Sequence, residues 1–376
     1  MTLPTTADLV RRRLANQKLV TSTLRSPAEV VAWFGAMQAQ EYAAARWALG
    51  LRAKGLTDAA VEQAFDEGAI LRTHAMRPTW HFVAPADIRW LQALTGPRVQ
   101  ALNAYYANKN ELDGKTIARS RVVIERALAG GHQRTRTELG AALGKAGIPA
   151  AGQRLAYLMM NAELDRVICS GARRGKQFTY ALLDERVPTA RVLARDEALA
   201  ELTRRYFTSH GPATLKDYAW WSGLTMKDVR RGVEIVGRAL LQETFGELTC
   251  WSAATSPAFT RGSPGRSAPR ATSSAYLLPI YDEYLIAYKD RKAMADPAST
   301  GRSAATIDGY AHWLIVDGLF TGTWRRAETP SGFDVNVVPC RSLTADNRKA
   351  IAVAARRYSE FLGKPVAVTG VAGGER

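Results

Sequence analysis

Cysteine is scarce. The chain of 376 residues has three, Cys169, Cys250 and Cys340, far apart and odd in number. They make no CxxC pair and no disulfide framework, which fits a reducing cytoplasm. Histidine is nearly as rare, with five residues scattered along the chain. His74 and His81 are the closest pair and no cysteine cluster joins them, so neither a metal site nor another cofactor is expected. No apolar run approaches the ~20 residues that span a bilayer, and no membrane partner is expected. The opening stretch MTLPTTADLVRRRLANQ lacks an apolar core followed by a small-residue cleavage site, so no secretory signal is read there. Acidic residues are the last shortage. Asp plus Glu is 35 against 51 Lys plus Arg, giving a net charge of +16 and a pI near 10.0. That excess favours a polyanion, either nucleic acid or an acidic surface, over a merely soluble basic protein.

What is present is an ordinary folded composition, 47% hydrophobic and 23% charged, in a chain too long for one core. Two to four modules are expected. Over residues 26–38, Ser26, Pro27 and Glu29 match the N-cap, N1 and N3 positions of a capping box. Val30, Val31, Trp33, Phe34 and Met37 then predict a helix with one apolar stripe. Further helices are read in YAAARWALGL and in TDAAVEQAFDEG, the latter closed by Gly68. ILRTHAM and WHFVA flank a turn and read as a hairpin.

The order of helices followed by a hairpin recurs. TRTELGAALGKAG, with Thr135 and Glu138 as a capping box, and AGQRLAYLMMNAELD precede RVICSGARRGKQFTYALL, two strands around a basic tip. GPATLKDYAWWSGLTMKDVRRGVEIVG precedes LLQETFGELTCW, a strand pair turned at Gly246. The reading is an α+β chain of three tandem winged-helix modules, over 1–110, 111–190 and 191–251. A mobile loop at 252–274, rich in Ser, Pro, Gly and Arg, follows them. Residues 275–376 form a β-barrel-like module with one helix, YLLPIYDEYLIAYKDR being among its expected strands.

Tandem winged helices with this charge make double-stranded DNA the leading partner. At the wing tip GARRGKQ, Arg173, Arg174 and Lys176 are placed to neutralise phosphates while Gln177 meets a base edge. The hairpin RTHAMRPTWHF adds Arg72, His74, Arg77, Trp80 and His81, with Trp80 open between core and stacking platform. Arg11–Arg13 read either as DNA contacts or as the wet face of a first helix.

Two glutamines pose a sharper question. In an unbroken helix, Gln38 and Gln40 point about 200° apart and cannot address one target. Residues two apart share a face only in extended chain. The pair therefore acts together only if the helix ends near Gln38.

The segments MQAQEYAAARWALGLR, RTHAMRPTWHFVAP, GPATLKDYAWWSGL, LLPIYDEYLIAYKDR and VDGLFTGTWRR occur in this order. Together they resemble the AlkZ/YcaQ family of winged-helix DNA glycosylases, over about residues 8–365. The resemblance implies three winged helices plus a C-terminal β-barrel around a C-shaped, DNA-binding channel. It implies that Gln38 and Gln40 are the catalytic Gln-x-Gln signature, as in the AlkZ-like branch associated with self-resistance to DNA-crosslinking natural products. The YcaQ branch carries aspartate at the second position, and this chain does not.

Glutamine suits that chemistry. An N7-alkylated guanine is a cation and already a good leaving group, so no strong general acid is needed. What remains is to place a water and to support positive charge building on the sugar, which glutamine carbonyls can do. Their weakness relative to aspartate spares normal bases. A base crosslinked to the other strand cannot swing into a deep pocket, so an open site is expected. Asp282 and Glu283 are the nearest thing to paired carboxylates and are read as structural.

The leading reading is a monofunctional DNA glycosylase, monomeric and cytoplasmic with the nucleoid as its place of work. It acts on N7-alkylpurines, and unhooking of interstrand crosslinks is an extension of the same chemistry. The alternative is a non-catalytic winged-helix DNA-binding regulator, which has no need of both glutamines. A protein-binding scaffold is the third reading and predicts no salt-dependent DNA affinity.

Overall fold

The first helix, α1 (Thr6–Asn16), corrects one of the two readings of its arginines. Arg11 is exposed, but Arg12 bonds Glu243 at 2.7 Å and Arg13 is 1% exposed. The Arg13 guanidinium donates to the Pro212 carbonyl at 2.9 Å and lies 3.8 Å from the Tyr288 ring centre. Such a charge is tolerated inside because Asp217 lies 3.9 Å away and its planar face is stacked, although Nη1 has no partner among the described residues. The run ties the first helix to residues between 212 and 288 as much as it forms a wet face. The computed structural model describes residues 4–255, 273–299 and 311–371.

α2 (Pro27–Phe34) starts as expected, with the Ser26 hydroxyl accepting from the Glu29 N–H, but stops earlier than the apolar stripe predicts. Gly35 caps it at φ +81°, a conformation glycine adopts without penalty. The chain then becomes β1 (Ala36–Gln38), so Met37 is buried from a strand and its helical spacing is coincidental.

Next come α3 (Tyr42–Gly50), α4 (Asp58–Asp66), β2 (Leu71–Ala75), β3 (Arg77–Val83) and α5 (Ile88–Lys109). The three strands form an antiparallel sheet in the order β1-β3-β2. The following stretch holds α6 (Gly114–Leu128), β4 (Arg134–Thr135), α7 (Arg136–Lys145), α8 (Gly152–Leu164), β5 (Ile168–Ser170), β6 (Thr179–Leu182) and α9 (Leu183–Arg186). Its sheet runs β4-β6-β5. Then α10 (Arg195–Ser209), α11 (Leu215–Ser222) and α12 (Met226–Val236) precede the pair β7 (Leu240–Phe245) and β8 (Leu248–Ala253). β8 extends two residues into the stretch read as a loop; residues 256–272 of that loop lie outside the described residues.

The C-terminal region contains β9 (Ala275–Leu278), α13 (Glu283–Ile286), β10 (His312–Val316), β11 (Leu319–Thr329), β12 (Gly332–Pro339), α14 (Ala345–Leu362) and β13 (Val366–Thr369). Its strands lie in the order β13-β12-β11-β10-β9, parallel only between β12 and β13. Among the described residues this is an open sheet with two edges, not a closed barrel. YLLPIYDEYLIAYKDR is a strand only at its start. The Asp282 side chain accepts from the Tyr284 N–H and begins a short helix, so the strand reading fails there.

A continuous buried core joins the first unit to the third and to the C-terminal sheet. A separate core, with Leu128, Leu143, Leu158 and Ile168, belongs to α6–α8 and their strands. β9 and the segment after it are fastened to the first unit by polar bonds: Trp47 Nε1 donates to the Leu277 carbonyl at 2.7 Å, and Arg52 pairs with Asp282.

Candidate active site

Because the helix ends at Phe34, Gln38 sits in extended chain directly opposite His81. Opposed residues of an antiparallel pair project to one face of the sheet. Thr79, two residues before His81, shares that face. It is the common partner of both: Gln38 Nε2 donates to its hydroxyl at 3.4 Å, and His81 Nδ1 donates to its carbonyl at 2.9 Å. A carbonyl only accepts, which puts the histidine proton on Nδ1 and leaves a lone pair on Nε2. Gln38 Oε1 and His81 Nε2 are both buried, and neither has a hydrogen-bond partner among the described residues. Burial pushes the His81 pKa down from 6.5 to about 3, so the ring is neutral at ordinary pH.

The backbone around the glutamines is fixed from two sides. The Gln38 N–H donates to Glu283 Oε1 at 2.8 Å, and the Ala39 N–H to the Trp80 carbonyl at 2.7 Å. Arg72 closes the end of β1, its Nε donating to the Ala39 carbonyl at 2.9 Å and its Nη2 to the Gln40 carbonyl at 3.2 Å. Its guanidinium lies between the rings of Trp80, 4.4 Å away, and Phe178, 4.7 Å away. Gln40 follows the strand at a bend and lines a cleft of about 240 Å³ with Trp80, Tyr157, Met159, Met160 and Tyr180.

Glu283 is 2% exposed and gathers donors from three elements. Besides Gln38 it accepts from Trp221 Nε1 at 2.9 Å and from His210 Nε2 at 3.3 Å. Burial works to raise its pKa, but the bonds from His210, the Gln38 backbone and Trp221 outweigh it and hold the carboxyl below its usual range. Burial also lowers His210. Arg77 reaches the same region electrostatically, and Glu283 opposes the fall in pKa that burial imposes on it. Arg77 Nε and Nη2 are buried without a partner among the described residues, while the guanidinium faces the Trp220 ring at 5.9 Å.

The other expected DNA contacts are dispersed. His74 is 5% exposed and bonds the buried Glu163 carboxylate, which withdraws it from any surface contact. Trp80 is half-buried, its ring 4.4 Å from that of His74, and forms a wall of the cleft. At the basic tip, the Arg173 N–H bonds Asp66 and its guanidinium bonds Glu62 at 2.6 Å, tying the tip to α4. Arg174 bonds Glu138 at 2.9 Å and the Gln133 carbonyl at 2.9 Å. Lys176 and Gln177 are exposed. Two of the three cations are thus spent on neighbours, a pairing invisible from local spacing. Sequence reasoning missed the partnership of Glu283 with Gln38 and the place of His81 opposite it. The nearest signal was the adjacent carboxylates Asp282 and Glu283, read as structural.

A family model described as DNA glycosylase AlkZ-like matches residues 31–361. An interstrand DNA cross-link repair glycosylase from Streptomyces sahachiroi is 24% identical, over 83% of this chain and 85% of that protein. The solved structure of the Streptomyces sahachiroi DNA glycosylase AlkZ superposes with a TM-score of 0.77 at 18% identity, covering 98% of this chain and 100% of that one. The fold, the extended strand that carries Gln38, and a family match across most of the chain agree: this protein belongs to the AlkZ-like DNA glycosylases.

Proposed function

We propose that this chain hydrolyses the N-glycosidic bond of N7-alkylated purines in duplex DNA, with Gln38 and Gln40 as its catalytic pair. The carrying observation is the two unpaired acceptors, Gln38 Oε1 and His81 Nε2, gathered around Thr79. A water that donates one proton to each presents its lone pair outward, toward the sugar. When the C1′–N9 bond breaks, its electron pair neutralises the cationic purine. The water oxygen bonds C1′ and releases a proton toward His81 or solvent, leaving an abasic site and a neutral N7-alkylpurine. None of the groups around Gln38 described above is an amine, so water takes the sugar carbon, in keeping with a monofunctional enzyme. Arg77, with free buried donors, stands at the same face.

The three helix-and-hairpin units are read as winged helices lining a C-shaped channel, with Lys176 and Gln177 toward the duplex. The crosslink-repair relative extends the substrate reading to interstrand crosslinks, and the Gln-x-Gln resemblance extends the setting to self-resistance against a DNA-alkylating natural product.

The test is base release from a duplex with one N7-methylguanine, revealed as strand breaks after hot alkali. Wild type should cut at the lesion, and Gln38→Ala and Gln40→Ala should not. Unmodified guanine should stay bound; release at a comparable rate would refute selectivity through weak catalysis. Salt-sensitive binding with no release from methylated or crosslinked duplex would favour a DNA-binding regulator instead.

A further inference from the structure

The cleft beside Gln40 is larger than a methyl adduct needs and is poorly suited to a bare base. Its volume is about 240 Å³, and its walls are chiefly Trp80, Tyr157, Tyr180, Met159 and Met160. A pocket for a flipped base reads the base edge with matched donors and acceptors. Here Gln40, His74, Arg136 and Gln153 are the polar side chains beside the two tyrosines; His74 is already held by Glu163, and Arg136 Nη2 is given to the Gly152 carbonyl at 3.0 Å.

The aromatic walls are held in place before any ligand arrives. The Trp80 indole is packed by Arg72 and by His74, which is itself held by Glu163. Tyr157 lies parallel to Tyr106, with ring centres 6.0 Å apart and planes within 10°. The two methionines add a soft, polarisable floor that adapts to different outlines. Fixed flat walls with a soft floor suit a planar apolar group of variable shape.

We propose that this cleft seats the planar, apolar substituent carried by a bulky N7 adduct, so the enzyme selects its lesion by the alkylating group as well as by the purine. The proposal rests on the glycosylase reading above. It places the substituent beside Gln40 while the purine keeps its place near the duplex, which a crosslinked base requires.

Two duplexes test it, one bearing N7-methylguanine and one N7-benzylguanine, with unmodified duplex as competitor. Binding and single-turnover release are both expressed as benzyl-to-methyl ratios. Wild type should favour benzyl by on the order of tenfold, the scale of discrimination an apolar pocket supplies. Ala156→Phe, which fills the cleft, and Gln153→Trp, which narrows its exposed rim, should each bring the ratio close to one. Gln153 is exposed, so its variant keeps the test alive should Ala156→Phe fail to fold. A wild-type ratio near one, or a ratio that neither variant moves, overturns the proposal. Benzyl-selective binding with no release from either duplex would retain the cleft and overturn the glycosylase reading. Release of methylguanine at a ratio near one would do the reverse.

Discussion

Asp282 and Glu283 are neighbours in sequence, both almost fully buried, and they do different things. Asp282 faces Arg52, which gives it two bonds of 2.7 Å and also holds the Ala48 carbonyl and Gln17. That cluster leaves only the Arg52 Nε without a partner among the described residues, and it staples the C-terminal region to the first unit. Glu283 turns the other way, toward Gln38, Trp221 and His210, in a neighbourhood where Arg77, His81 and Gln38 keep unused polar atoms. Buried polar atoms left unpaired cost stability. The first cluster spends most of its polar atoms on its own members, and the second leaves more of them unpaired among the described residues.

Five experiments set the scale of that contrast, in order of expected size. Asp282→Ala leaves Arg52 as an uncompensated buried charge and should cost about 3–5 kcal/mol in denaturant unfolding. Glu283→Gln keeps an acceptor for the Gln38 N–H but loses the charge that draws His210 and Trp221. It should slow base release by about 10²-fold, the scale of a small misplacement of reacting groups, with DNA affinity retained. If Glu283→Gln releases base at the wild-type rate, the two carboxylates are both staples and the contrast collapses.

Acid should act on the Glu283 side. His81 titrates at about 3 when folded against 6.5 ordinarily, and His210 is also lowered. Between those values the unfolded chain binds protons that the folded one refuses, so stability falls as pH drops. The contribution is complete above pH 6.5 and is lost progressively toward pH 3. Glu283, lowered as well, adds a loss of the same sign. Thermal melts from pH 7 to pH 4 should show Tm decreasing, and His81→Asn should flatten the curve.

The smallest effects belong to the wing. Arg174→Ala removes an exposed pair worth at most about 1 kcal/mol and should leave Tm nearly unchanged. Lys176→Ala should lower the log–log salt slope of DNA binding by about 0.9 if it meets one phosphate. An unchanged slope would take that residue out of the DNA contact.

Much of this fold was legible from local signals. The caps at Ser26 and Thr135 and the turn at Gly246 stand where polar and apolar spacing put them, and the C-terminal region has the long helix expected of it. The end of α2 was harder, because Met37 kept the helical spacing while Gly35 had already redirected the backbone. Of the proposed site, the sequence singled out Gln38 and Gln40 and little else. Glu283 meets Gln38 across 245 residues, and Arg173 meets Glu62 across 111. Pairings at that range depend on how units dock, which neither periodicity nor capping encodes. The same distance misled the reading of Arg13, whose partner Pro212 lies 199 residues away.

The bond from the Gln38 N–H to Glu283 also has a consequence in time. A ribosome makes Gln38 early and Glu283 only 245 residues later. Over that interval the chain carries Gln38 with no carboxylate behind it, and their bond forms only when the C-terminal region folds back onto the first unit.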